Sequence, residues 1–133
     1  MSDFGLPQSG DEGDFGKFDL RSVPSPCFVV DEVAIERNLA ILAAVKAQSG
    51  AKVLLALKAF SMFSLAPLVR TYLDGTCASG LFEAQLANRH YGGSLTTFCA
   101  GYKPQDLPEI IKLSDHLIFN SVGQKDRFSS IVE

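Results

Sequence analysis

A lysine closes an apolar run in KVLLALKAFS, residues 52–61. Val53 to Leu57 are all apolar, Lys58 interrupts them, and Ala59 and Phe60 resume the apolar character. An ammonium group in that setting has two readings. Either it marks a strand end and extends its stem to water, or it is held half-desolvated, so that a fraction stays neutral and nucleophilic. A neutral lysine amine condenses with aldehydes, and that is the chemistry the second reading offers. No metal is expected, because His90 and His116 stand alone and Cys27, Cys77 and Cys99 show no CxxC pair or disulfide framework. The scattered thiols read instead as buried cysteines of a reducing cytosol, so a cytoplasmic protein is expected.

Positioning such a lysine requires rigid elements, and the surrounding sequence alternates in type. CFVV (27–30) is a short β-like run. Asp31 is a candidate cap for a helix carrying Ile35, Leu39, Leu42 and Val45 and stopping near Gly50. KVLLALK is a strand. Ser64 is expected to cap a helix with Leu65, Leu68, Val69 and Tyr72 on one face, closed by Gly75. TCAS (76–79) is a strand, LFEAQLANRHY a helix, and Gly92-Gly93 a stop. LTTFCA (95–100) is a strand, and Pro104 opens a helix with the stripe Leu107, Ile110 and Ile111. HLIFN (116–120) is a strand, and Ser121 with Gln124 forms a capping box for a last helix whose apolar face is Phe128, Ile131 and Val132.

Strict alternation of strand and helix implies a parallel sheet. Two architectures satisfy it: a small doubly wound α/β sheet, or a partial (β/α)8 barrel holding about the first four βα units. Alternation sets Val53, Leu55 and Leu57 on one face of the lysine strand and Leu54, Ala56 and Lys58 on the other. A narrow barrel interior accommodates a small Ala56 beneath a lysine at the carboxyl rim, where active sites of that fold are built. The barrel is therefore preferred.

The chain of 133 residues is the size of one domain, and 47% hydrophobic with 20% charged residues describes a soluble globular sequence. Its net charge of −3 resides in residues 1–23, where Asp3, Asp11, Glu12, Asp14 and Asp19 face only Lys17 and Arg21. That stretch, rich in Gly, Asp and Ser, reads as a flexible acidic head, and residues 24–133 as the folded part. The balanced remainder forms no basic patch, so nucleic acid is not an expected partner. Nothing approaches a membrane span of about 20 residues, and the head has no apolar core of a signal peptide.

The stretch LALKAFSMFS resembles the lysine strand of the fold-type III pyridoxal 5′-phosphate (PLP) enzymes, the group of alanine racemase and ornithine or diaminopimelate decarboxylase. Together with TCASGLFEA (76–84), AGYK (100–103) and SDHLIFNS (114–121), it is most similar to the carboxynorspermidine decarboxylases. The resemblance covers roughly residues 25–133 and fails over the head. It implies that Lys58 bonds PLP covalently, with Ala56, Ser79 and Glu83 beside the cofactor and Tyr102 and Lys103 facing the substrate. Ser79 and Glu83 also have plain structural roles open to them, as a helix cap and a first-turn acid. Asn120 and Ser121 end the fourth strand, with Ser121 read as the cap. The implied reaction is loss of CO2 from carboxynorspermidine or carboxyspermidine, giving norspermidine or spermidine in polyamine synthesis, by an enzyme that is a homodimer when complete.

The late glycine-rich phosphate turn, the ring-stacking histidine and the carboxyl-terminal β domain of that family have no counterpart here. The chain is therefore expected to be an amino-terminal fragment, inactive by itself. Two other readings stay open: a non-catalytic PLP-binding barrel protein, and a small doubly wound interaction domain in which Lys58 is incidental.

Overall fold

Asp31 accepts the Ala34 N–H at 3.0 Å and starts helix α1, Glu32–Ser49, as its residue type and place favour. Gly50, at φ +71°, ends it with its own N–H on the Lys46 carbonyl. The other elements follow in the computed structural model, which describes residues 18–132. They are β1 (Leu54–Ala56), α2 (Ala66–Tyr72), β2 (Gly75–Ala78), α3 (Leu81–Leu86), β3 (Ser94–Cys99), α4 (Leu107–Leu113), β4 (His116–Phe119), α5 (Val122–Arg127) and α6 (Ser129–Val132). A π-helical turn, Ala87–Tyr91, prolongs α3 as far as the Gly92-Gly93 stop. The four strands pair in parallel in chain order, with Leu54 beside Gly75, Gly75 beside Ser94 and Thr96 beside His116.

Helices cover one face of this sheet. Leu57, Ala78 and Leu95 pack with Leu39 of α1, Val69 of α2 and Ala84 of α3 in one core. Leu117 and Phe119 pack with Leu107 and Ile110 of α4 and with Phe128 in a second. Burying one side chain such as Leu57, 2% exposed, contributes about 2 kcal/mol. By alternation, Leu54, Ala56, Cys77, Thr96, Phe98, His116 and Ile118 belong to the opposite face, and Ile118 there is 47% exposed. A doubly wound sheet has helices on both faces. Here the described helices pack on one, as in a segment of barrel wall.

Two aspartates tie the amino ends of the strands by the same device. Asp74 donates its N–H to the Val53 carbonyl at 3.0 Å and accepts the Val53 N–H on Oδ2 at 2.9 Å. Asp115 donates to the Leu95 carbonyl at 2.8 Å and accepts the Leu95 N–H on Oδ2 at 2.7 Å. Lys46 of α1 completes the first tie by donating to Asp74 Oδ1 at 3.0 Å and to the Tyr72 carbonyl at 3.2 Å. The Val53 hydrogen bond and, after it, the Lys46 ammonium hold the Asp74 carboxyl below its ordinary range. Between these ties β2 and β3 approach closely. A Cβ on Gly75 would fall on the Ser94 carbonyl, so this position takes only glycine.

Several expected features differ. CFVV (27–30) is not a strand, since no described strand pairs with it. Ser64 caps nothing: it lies in a 3₁₀ turn, Phe63–Leu65, and α2 starts on Ala66 with Pro67 in its first turn. Gly75 belongs to β2 rather than to a helix end. Pro104 begins a turn, and α4 starts three residues later behind Asp106. Leu42 and Val45 of α1 are 41% and 51% exposed, and of the expected stripe only Leu39 is buried. The last helix breaks at Phe128, which alone of its expected stripe is buried. The acidic-head reading of residues 1–17 lies outside the described residues. Within 18–23, Asp19 caps a 3₁₀ turn, Leu20–Ser22. None of the three cysteines is buried: Cys27 is exposed, Cys77 and Cys99 half-buried.

Candidate active site

Lys58 sits where β1 gives way to a turn. Leu57 adds one more ladder bond, its N–H to the Cys77 carbonyl at 3.0 Å, and buries its side chain among the helices. The chain then folds around the Ala56 carbonyl, which accepts both Ala59 N–H at 3.0 Å and Phe60 N–H at 3.2 Å. Lys58 is thus held at the carboxyl end of β1 and exposed. Of the two readings of this lysine, the half-desolvated one is not seen among the described residues, where no element covers the amine. Ala56, half-buried, is in register with Cys77, which is in register with Thr96. Beyond the ladder, Lys58 lies in the turn after β1 and Ser79 in the bend after β2, while Phe98 of β3 is the partner of Ile118.

Ser79 does not cap α3. Gly80 is the N-cap, without a side-chain bond, and Glu83 reaches back so that its Oε2 accepts the Ser79 N–H at 2.8 Å. The fourth unit repeats the device: Gln124 Oε1 accepts the Asn120 N–H at 2.9 Å. There Ser121 does cap the helix, accepting the Gln124 N–H at 3.1 Å as expected. Gln124 does more than its motif foretold, because its Nε2 donates to the Ala100 carbonyl at 3.0 Å and so bridges the ends of β3 and β4.

Tyr102, expected to face the substrate, is turned largely inward. It is 6% exposed and lies in the helix-side core, where its hydroxyl meets the Thr97 carbonyl at 2.8 Å and the Ile118 carbonyl at 3.1 Å. Burial, first of all, pushes its pKa up to about 12. The ring runs under the sheet and leaves Lys103 exposed at the surface. A shallow pocket of about 200 Å³ brings together Ser79, Phe82, Cys99, Tyr102 and Lys103, and Phe82 is 85% exposed at its mouth. Lys58 and Ala56 stand outside that pocket. Next to them, a wider groove of about 550 Å³ runs between Phe28–Val30 and Ala59–Ser64. Among the described residues no group of three His, Cys, Asp or Glu side chains is placed to hold a metal ion, and no helix is long and apolar enough to cross a membrane.

A parallel sheet in chain order with helices on one face has the form of a segment of (β/α)8 barrel wall, a fold in which functional groups gather at strand ends. No family model matches the chain. Over 109 residues, 82% of this chain and 28% of the relative, it is 43% identical to carboxyaminopropylagmatine decarboxylase of Synechocystis sp.. It is 38% identical over 108 residues to the carboxynorspermidine/carboxyspermidine decarboxylase of Herminiimonas arsenicoxydans, covering 81% of this chain and 30% of that protein. Among solved structures, carboxynorspermidine decarboxylase from Campylobacter jejuni, complexed with norspermidine, aligns with a TM-score of 0.79 and 36% identity. That match covers 83% of this chain and 30% of the other. The chain has the fold of that portion, and it spans under a third of the length of the curated relatives it matches.

Proposed function

We propose that this chain is the lysine-bearing portion of a PLP-dependent decarboxylase that converts carboxynorspermidine or carboxyspermidine to norspermidine or spermidine. One observation carries the reading: Lys58 stands exposed in the turn that closes β1, in a chain similar to three decarboxylases of carboxylated aminopropyl amines. The residues present suit PLP in their chemistry. Lys58 supplies a primary amine open to an aldehyde, Ala56 ends the strand before it with a small side chain, and half-buried Ser79 adds a hydroxyl after the neighbouring strand.

When bound, PLP accepts the electron pair released as CO2 leaves the substrate's α-carbon. The chain's own groups do the rest of the work in this portion. Lys58 would hold PLP through its primary amine at Nζ. Glu83 Oε2 fixes the main chain of Ser79, and Gln124 fixes the ends of β3 and β4. Lys103 offers a positive charge toward a carboxylate at the rim, with Tyr102 acting beneath it as a positioning residue rather than a substrate contact. The complete enzyme in this reading is a cytoplasmic homodimer.

The test joins this chain to the remainder of the Campylobacter jejuni enzyme and measures CO2 release from carboxynorspermidine. Activity that falls by about a thousandfold or more in Lys58→Ala supports the reading. A joined, folded protein whose activity survives Lys58→Ala overturns it.

A further inference from the structure

Among the described residues two buried side-chain oxygens lack a hydrogen-bond partner, Thr76 Oγ1 and Tyr91 Oη. Each residue is only 1% exposed, and both line the same cavity of about 270 Å³. Burying a hydroxyl without a partner is costly, so two at one place mark a site rather than a packing fault. The cavity lies between α2 and the π-helical turn, on the helix side of β2. Asp74 is part of its wall, which sets it at the pole of the aspartate ties, remote from Lys58.

Tyr91 is the last residue of the π turn, which the Gly92 N–H closes on the Ala87 carbonyl at 3.2 Å. Such turns are rare, and they are frequent at functional sites. Gly92 and Gly93, at φ +64° and +74°, then bring bare main chain to the rim. The Arg70 side chain of α2 lies against the first of them: a Cβ on Gly92 would stand 3.4 Å from Arg70 Cζ. Arg70 forms no ion pair among the described residues. The other charge on the wall is already matched, since Asp74 Oδ1 holds Lys46 at 3.0 Å and Oδ2 the Val53 N–H at 2.9 Å. One uncompensated cation and two idle hydroxyls therefore share one space.

We infer that this cavity is a second binding site, which takes a small oxyanion: Arg70 pairs with its charge, and Tyr91 and Thr76 donate their hydroxyl protons to it. A guanidinium fork matches the oxygens of a carboxylate or a phosphate, and hydroxyls donate strongly to anions. The space falls just under the usual range for drug-sized ligands, about 300–1,000 Å³, so the ligand is a short carboxylate or a phosphate. Water could meet the two hydroxyls, but it gives the guanidinium no counter-charge. The inference does not rest on the decarboxylation reading, and it stands or falls by binding rather than by turnover.

The test titrates the isotope-labelled chain with inorganic phosphate and, separately, with butyrate, followed by NMR at constant ionic strength made up with chloride. At least one probe gives saturable amide shifts centred on Thr76 and Gly92-Gly93, with a Kd of about 10 mM or tighter. Arg70→Gln and Tyr91→Phe each weaken that binding by about tenfold or more. Lys125→Gln, which removes an exposed charge from α5, leaves it within about twofold. A second readout is the thermal midpoint of the chain joined to the Campylobacter jejuni remainder, which the binding probe raises in the parent and not in the Arg70 and Tyr91 variants. Saturation by phosphate alone assigns a phosphate ligand, by butyrate alone a carboxylate, and by both the oxyanion they share. No saturable shift with either probe leaves the cavity to water and overturns the inference. Binding that persists unchanged in Arg70→Gln or in Tyr91→Phe overturns it too, as does an equal loss in Lys125→Gln, which would attribute the effect to surface charge in general.

Discussion

Glu83 and Ser79 are joined across one turn, the carboxylate of one on the main-chain N–H of the other at 2.8 Å. The bond stands in for the cap that Gly80 does not supply, and it fixes the main chain just after β2. Glu83→Ala is expected to cost about 1 kcal/mol in urea unfolding, and Glu83→Gln, which keeps an acceptor, less than half of that. Equal losses in the two variants would mean that the bond contributes nothing.

Lys58 is exposed and makes no contact that the fold needs, so Lys58→Ala should leave the urea midpoint within about 0.5 kcal/mol of the parent. Its loss should show elsewhere. Incubation with PLP followed by borohydride leaves a pyridoxyl label that peptide mapping finds on Lys58, and the variant carries none there. A label spread evenly over the surface lysines would remove the special role given to this one.

Tyr102 ties β3 to β4 through the carbonyls of Thr97 and Ile118. Tyr102→Phe should lose about 1 kcal/mol. The parent also has an alkaline weakness: with a folded pKa of about 12 against an ordinary 10.0, the tyrosine's contribution is intact below pH 10 and fades as pH rises toward 12. The phenylalanine variant should show a shallower decline over that interval in pH-dependent unfolding.

Tyr91 presents the opposite case. Its hydroxyl is buried, has no hydrogen-bond partner among the described residues, and burial raises its pKa. Tyr91→Phe removes a polar atom that gains nothing in the fold, so stability should hold or rise by up to about 2 kcal/mol. A clear drop in thermal midpoint would reveal a partner for that oxygen.

Asp74 predicts an acid effect. Its carboxyl is held below the ordinary 3.8 by the Val53 N–H and then by Lys46, so its contribution is present above that pH and lost as pH falls through the lowered value. Asp74→Asn should therefore be less stable than the parent at pH 7, and the two should converge toward pH 2. A gap that persists in acid would attribute the loss to packing instead.

Much of the architecture was legible in short-range terms. Asp31, Ser121 and the Gly92-Gly93 pair act locally, and each ends or starts a helix where its side chain or its positive φ leads one to expect. The place of Lys58 at a strand end was legible for the same reason. What misled were features decided by partners distant in sequence. CFVV is as β-like as any run in the chain, but a strand exists only with a neighbour, and propensity does not supply one. Ser64 and Ser79 are good capping residues, overruled by Pro67 and by the reach of Glu83. Tyr102 was read as a rim residue because it follows a strand, whereas its ring is buried and its one hydroxyl proton lies within reach of two carbonyls, Thr97 the nearer. The second arm of Gln124, on Ala100, connects elements 24 residues apart and leaves no local trace.

The paired aspartate ties have an implication for how this architecture tolerates change. Asp74 and Asp115 staple neighbouring strands at one pole of the sheet, while Lys58, Ser79 and Asn120 occupy the other. Side chains at that second pole are thus free to be exchanged, one chemistry for another, without loosening the wall from which they project.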